Sequence, residues 1–362
     1  MGRIVLIVNP YATKVTEPRV REIEEALGMA GDVETLLTEW PGHGRELAAM
    51  AGDDAEAICV FSGDGVYNEA LNGTDFAVPM GFIPGGGTSV LPRALGLARE
   101  PVRAAQQLAE AIQAGRSRRI ALGRVNGRRF SFSAGIGLDA DVVRRVDSRG
   151  RREGKRRAGD LTFVRELTRI AAQHRVRFQP QVEIVGMGRA VCALVANGAP
   201  YTYAGPWPVQ LVPGVTFEGG LGLTAPRSIR PFAIPGLVSF AFTGRGDSEQ
   251  LDLIRATNLE RIEVVCDRPL ALQVDGEDLG DVEQAVFDVD RDTLALNGPP
   301  SPIRNGETVF ELSYIAQLAP WWTLQPDFQY IVRPGGNVPD PADAARIVGN
   351  AFVIGAPTTI SF

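Results

Sequence analysis

The sequence predicts an α/β fold: an N-terminal parallel-sheet nucleotide-binding domain, then a mainly antiparallel β domain, then a β-rich C-terminal tail. Three observations carry this. Apolar runs alternate with amphipathic stretches over residues 1–118, short runs bounded by Gly, Asn and Pro follow over 119–299, and residues 300–362 alternate apolar and polar side chains around aromatic positions.

Residues 4–8 form a β-branched and leucine run stopped by Asn9 and Pro10, the signature of a strand buried on both faces. Helical spacing over 19–27 ends at Gly28, residues 33–38 read as a strand, 44–51 as a helix and 57–61 as a strand. Residues 80–83 form a further short strand, and a helix over 101–113 closes before Gly115. Beyond Arg119 the runs RIALGRVNG, RRFSFSAGIG, QVEIVG, AVCALVAN and LQVDGE read as strands, with one helix over 160–173.

The chain has 362 residues, 44% hydrophobic and 22% charged, which suits a soluble protein of two or three domains. A formal net charge of -6 excludes a general nucleic-acid binder, which needs a basic excess over phosphate. Cys59, Cys192 and Cys266 are odd in number and widely spaced, and His43 and His174 are the two histidines, so neither a disulfide framework nor a zinc cluster is expected. The first apolar run is too short for a leader, and no segment reaches the ~18 apolar residues of a spanning helix. A cytoplasmic protein is expected.

The stretch SGDGVYNEALNG, residues 62–73, follows a strand and opens a helix. At such a junction backbone N–H groups and the helix N-terminus converge on an anion site at the carboxyl edge of the sheet. Gly63 and Gly65 let the backbone approach a phosphate, whereas Asp64 and Glu69 would repel one unless a divalent cation or a proton-accepting role accounts for them. Neither a P-loop lysine nor a G-x-G-x-x-G spacing is present. The second turn, PGGGTSV at 84–90, also links strand to helix, so two phosphate-friendly turns should lie side by side. Taken alone, VDGE at 274–277 is an Asp-Gly hairpin turn.

With VNPYATK, LLTEWPGHGRELA, SGDGVYNEALNG, GFIPGGGTSVLPRALGL, SAGIGLDADVV, VANGAPYTYAG and LQVDGE in this order, residues 1–299 resemble the diacylglycerol kinase catalytic family, which includes bacterial lipid kinases and sphingosine kinases. The resemblance implies an ATP-dependent lipid kinase using Mg2+. It implies an ATP site lined by Asn9, Pro10, Tyr11, Ala12, Thr13 and Lys14 after the first strand, by Thr38, by the turn residues Gly63, Asp64, Gly65, Val66, Asn68 and Glu69, and by Gly86, Gly87 and Thr88. It also implies Glu277 as the acceptor of the lipid hydroxyl proton, with Asp275 beside it and Asp64 as second candidate. A primary hydroxyl needs such a carboxylate before it attacks well.

This chain departs from the family pattern in two places. Ser62 and Val66 stand at the first and fifth places of the usual G-G-D-G-T, and VTFEGGLGL at 215–223 keeps Glu218 where relatives hold a structural magnesium, with Gly219 and Gly222 at the next acidic places. Glu218 is therefore a weakened metal ligand. The basic run RRVDSRGRREGKRR, 144–157, is expected to be a solvated loop or a foothold on anionic lipid. The partners implied are a lipid substrate at the membrane surface, with peripheral association, and no nucleic acid; a homodimer is compatible. The tail resembles the last strands of a carbohydrate-selective outer-membrane porin, with three strands at most, too few to close a barrel, and it reads as a fused fragment. Alternative readings are an NAD kinase-like enzyme or a nucleotide-binding scaffold with impaired catalysis.

Overall fold

The computed structural model describes residues 2–52, 54–74, 78–152, 178–204, 207–296, 308–313, 316–319, 322–332, 339–340, 343–347, 349–355 and 358–360. The chain separates into two compact units, Met1–Pro299 and Pro300–Phe362.

In the first unit β1 (Arg3–Val8), α1 (Glu17–Gly28), β2 (Asp32–Leu37), α2 (His43–Ala51), β3 (Ala55–Ser62), α3 (Asp64–Leu71), β4 (Met80–Pro84), α4 (Val90–Ala94) and α5 (Pro101–Gln113) follow the predicted alternation. The strands lie in the order β2-β1-β3-β4, all parallel. Burial on both faces explains the unbroken apolar runs. Ile4, Leu6 and Val8 pack with Leu27 of α1 and Leu108 of α5, while Val5 and Ile7 pack with Leu47 of α2 and Leu71 of α3. α1 begins two residues earlier than its apolar spacing indicates, since Pro18 fits the first turn of a helix.

The strands that follow are β5 (Arg118–Val125), β6 (Arg128–Phe130) and β7 (Ser133–Ile136), then helix α6 (Leu138–Arg152). Next come β8 (Val182–Ile184), β9 (Gly188–Ala190), β10 (Ala193–Ala196), β11 (Thr202–Ala204), β12 (Trp207–Val209) and β13 (Leu221–Pro226). A short 3-10 turn, Pro231–Ala233, leads into α7 (Ile234–Thr243), followed by β14 (Leu253–Leu259), β15 (Arg261–Val274) and β16 (Glu277–Ala295). The main pairings here are antiparallel, in the order β14-β13-β10-β7-β15-β16. β16 then joins the two halves: it pairs with β15 and β5, and its end lies parallel to β4, with Ala295 opposite Met80. The expected helix over 160–173 lies outside the described residues.

In the second unit β17 (Thr308–Ser313) and β18 (Ala316–Ala319) pair with β20 (Asp327–Val332) and β19 (Trp322–Leu324). After a small hairpin of β21 (Pro339–Asp340) and β22 (Asp343–Ile347), β23 (Ala351–Gly355) and β24 (Thr358–Ile360) cover the other side of β20 and β19. Thr308 faces Val332 and Ala316 faces Leu324, so β17 and β18 keep one register against β20 and β19 in two three-stranded antiparallel sheets. Phe352, Val353 and Ile354 are all exposed, so both faces of the outer strand carry apolar side chains. Among the described residues no helix is long and apolar enough to cross a membrane.

Candidate active site

Asn9, Thr38, Gly63 and Gly85 follow directly on β1, β2, β3 and β4, which brings them together at the carboxyl edge of the parallel strands. That edge is where open α/β sheets take ligands. Asn9 receives the N–H of Tyr11 on Oδ1 at 2.9 Å, turning the chain through Pro10, Ala12 and Thr13 toward Lys14, whose N–H donates to Gly85 O at 2.8 Å. Thr38 is buried and its N–H donates to Val8 O at 2.9 Å. Burial, with Arg99, Arg19 and Arg93 nearby, holds the Lys14 ammonium below its ordinary pKa.

The two glycine turns touch through their backbones. A Cβ on Gly86 would lie 2.9 Å from the Cα of Gly63, and one on Gly85 would lie 2.8 Å from Ser62 O. Gly87 and Thr88 sit at the outer part of the second turn, with open space where a Gly87 side chain would go. The first-turn N–H groups of α3 lack intrahelical partners, as at any helix start.

Five expected site residues have other work. The Asp64 carboxylate accepts the N–H of Val90 at 2.8 Å, capping α4 and fastening one glycine turn to the other. Glu69 accepts the N–H groups of Gly42 and Gly44 at 2.9 and 3.0 Å, which caps α2. Val66 packs against Gly44 and the core. Asp275 is buried and receives five donors: the N–H groups of Ser131, Phe132 and Ser133, the Ser131 hydroxyl and the Asn68 amide. Burial pushes its carboxyl above the ordinary range, partly opposed by those donors. Those donors tie Asp275 to residues 131–133 and to Asn68, so its carboxylate holds the turn that carries Glu277. Asn68 likewise serves as an anchor, donating to Asp275 Oδ2 at 2.9 Å.

VDGE is a hairpin turn, as its residues read, and also a site element. Asp275 and Gly276 take φ 47° and 80°, the two left-handed positions of a type I′ turn, with Val274 opposite Glu277. The turn delivers Glu277 to α3: a Cβ on Gly65 would lie 2.5 Å from Glu277 Oε1. Its other oxygen, Oε2, lies 3.0 Å from the Arg128 guanidinium, which also donates to Asn68 Oδ1 at 2.9 Å. Sequence reasoning missed Arg128. Its signal was the Asn126-Gly127 pair, a second left-handed turn with φ 48° and 87°, which sets Arg128 at the head of β6. Arg93 was missed too: it is buried on α4 with its guanidinium 3.2 Å from the Tyr203 ring centroid, and burial lowers it to about 10.

The described residues do not fit a resident Mg2+. Glu218 is paired with Arg118, and no group of three or more His, Cys, Asp or Glu side chains that could hold a metal occurs among the described residues. Arg144, expected in the lipid foothold, forms a two-pronged ion pair with Asp278 at 2.9 Å and a further one with Asp281 at 2.6 Å. The side chains of 147–157 lie outside the described residues.

Residues 3–125 match the family model of the diacylglycerol kinase catalytic domain, and residues 280–362 match that of the carbohydrate-selective porin, OprB family. A curated protein of Streptococcus pneumoniae serotype 4 (strain ATCC BAA-334 / TIGR4), named "Putative lipid kinase", is 25% identical over 170 residues, 45% of this chain. The match spans 55% of that relative's length. Among solved structures, a "putative diacylglycerol kinase" from Bacillus anthracis str. Sterne superposes with TM-score 0.66 at 22% identity, over 82% of this chain and 96% of its own. A second diacylglycerol kinase structure from the same strain gives TM-score 0.61 at 19% identity, over 82% and 97%. The solved structures share the mixed α/β fold, and the family-model match over residues 3–125 and the curated relative point to a kinase.

Proposed function

We propose that this chain is an ATP-dependent lipid kinase, transferring the terminal phosphoryl group of ATP to the hydroxyl of diacylglycerol or a related lipid. One observation carries the reading: Glu277 stands against Gly65, on the glycine turn that opens α3 at the carboxyl edge of the parallel strands. A carboxylate within reach of a phosphate cradle is what a hydroxyl acceptor needs, since its proton must leave as its oxygen attacks phosphorus.

In this reading residues 1–118 hold the nucleotide and 119–299 supply the lipid side. Backbone N–H groups at Gly63, Gly65 and Gly87 surround the phosphates, and Lys14 adds a positive charge at the same edge. Glu277 accepts the hydroxyl proton while the lipid oxygen bonds to the terminal phosphorus and ADP leaves. Arg128 holds Glu277 in place through the 3.0 Å ion pair to Oε2, leaving Oε1 beside Gly65. Any Mg2+ would arrive on the nucleotide. The enzyme would work in the cytoplasm at a membrane surface.

The test is incubation with labelled ATP and magnesium against diacylglycerol, a long-chain base and NAD. Label in diacylglycerol or the long-chain base supports the proposal. Label in NAD would make the chain an NAD kinase, and label in none would make it a nucleotide-binding scaffold.

A further inference from the structure

Helix α7 reverses the usual distribution of side chains on a surface helix, whose outward face is ordinarily polar. Pro235, Val238, Ser239 and Phe242, spaced i, i+3, i+4 and i+7, all face solvent, and Phe232 just before the helix extends the stripe. Phe232 is 78% exposed, Val238 51% and Phe242 49%. On the opposite side Phe240 is buried beneath the Arg255 guanidinium. Residues 231–244 carry no charged side chain; exposed Arg227 and Arg230 precede them, Arg245 follows, and Asp247 and Glu249 come after it.

We propose that α7, with Phe232, docks the protein on the surface of an anionic phospholipid bilayer. The stripe would enter the boundary between head groups and acyl chains, and the flanking arginines would reach the phosphates. The position of α7 in the fold supports this. The Gln210 N–H donates to Ala241 O on α7 at 2.5 Å, fixing the helix beside β12, where Trp207 is 40% exposed and widens the apolar surface. β12 pairs with β11, and Tyr203 of β11 stacks on Arg93 of α4, the helix that follows the second glycine turn. One hairpin therefore joins α7 to the candidate active site. A bilayer suits this stripe better than a protein partner does. Its two polar side chains are Ser239 and Thr243, the second turned onto the backbone of Ser239 and Arg245, so it offers little hydrogen-bonding or charge pattern for recognition, whereas a membrane interface needs only apolar area and peripheral cations.

The purpose of docking rests on the lipid-kinase reading, but the docking is tested without nucleotide. The full chain is floated with phosphatidylcholine vesicles, with and without phosphatidylglycerol. The parent should bind, more tightly to the mixed vesicles, and the Phe232→Ser, Phe242→Ser double variant should bind at least about tenfold more weakly, as expected for two large apolar groups left in water. Val238→Ser, a smaller change, should weaken binding in the same direction with an unchanged melting transition. Equal binding by parent and folded variants overturns the proposal. So does a parent dimer that these substitutions dissolve while vesicle binding is unaffected, which would make α7 a contact between two copies of the chain. A parent that needs α7 to bind vesicles yet phosphorylates no lipid removes the kinase reading and supports the docking surface.

Discussion

Glu277 occupies the space that a side chain on Gly65 would need, with Oε1 2.5 Å from the position of a Cβ there. The two residues are far apart in sequence, and their contact joins the first glycine turn to the β15–β16 hairpin. Gly65→Ala must therefore move the carboxylate. A displacement of about 1 Å at the reacting groups costs on the order of 10²-fold in rate, so kcat should fall by about that factor while the melting transition stays close to the parent's. Steady-state kinetics beside thermal unfolding checks both.

Glu277→Gln keeps shape and removes the base. The expected result is a fall in kcat of ~10²–10⁴, with nucleotide affinity nearly unchanged because this residue is assigned no phosphate contact. Nucleotide titration on the same preparation separates the outcomes. If affinity collapses while single-turnover chemistry survives, Glu277 belongs to the nucleotide site instead.

The parallel half of the fold was legible because double burial leaves a distinctive trace: Ile4 to Val8 are apolar at every position, and β1, β3 and β4 run into Asn-Pro or glycine. β16 was not legible. Its sequence EDLGDVEQAVFDVDRDTLA is crowded with carboxylates, and its buried Ala285, Phe287 and Ala295 are too sparse to announce a strand that pairs along both edges. The site was half legible. Glycines at strand ends declare themselves, but an acid beside them reads as site chemistry whether it faces ligand or backbone. For Asp64, Glu69 and Asp275 the deciding donors come from Val90, from Gly42 and Gly44, and from residues 131–133, partners that only the folded chain brings near.

Asp64 therefore affects stability as well as rate. Its carboxylate caps α4, and loss of a helix cap costs about 0.5–2 kcal/mol, so Asp64→Ala should lower the melting temperature and the activity together. Asp64→Asn keeps an accepting oxygen and should recover much of the stability. Equal stability of parent and alanine variant in urea titration would remove the cap from the account.

Asp290 gives a pH dependence. Burial works to raise its carboxyl, but hydrogen bonds and charge from Arg129 and Arg124 outweigh this and hold it below the ordinary carboxylate range. A group depressed in the folded state stabilises above its unfolded pKa and loses that contribution as pH falls through the folded value. Unfolding free energy should decline below the ordinary carboxylate range, and Asp290→Asn should be less stable than the parent at neutral pH but nearly equal to it in strong acid. Urea unfolding across that range measures the difference.

Two truncations distinguish the compact units from the family matches. The porin-family match begins at residue 280, inside β16, whereas the compact unit ends at Pro299. β16 pairs with β15 and β5, meets β4 at Ala295, and buries Ala285 and Phe287 in the core of the first unit. A chain ending at residue 279 loses that strand, leaving β15 and β5 with unpaired backbone groups and an opened apolar core, each a severe cost. It should fail to fold. A chain ending at residue 300 keeps every one of these pairings, so it should retain the melting transition and kinase activity of the parent and be more soluble for the loss of exposed Phe352 and Ile354. If the chain ending at residue 300 also unfolds, the tail is part of the stability of the first unit. If the shorter one folds and is active, β16 belongs with the porin-like segment instead.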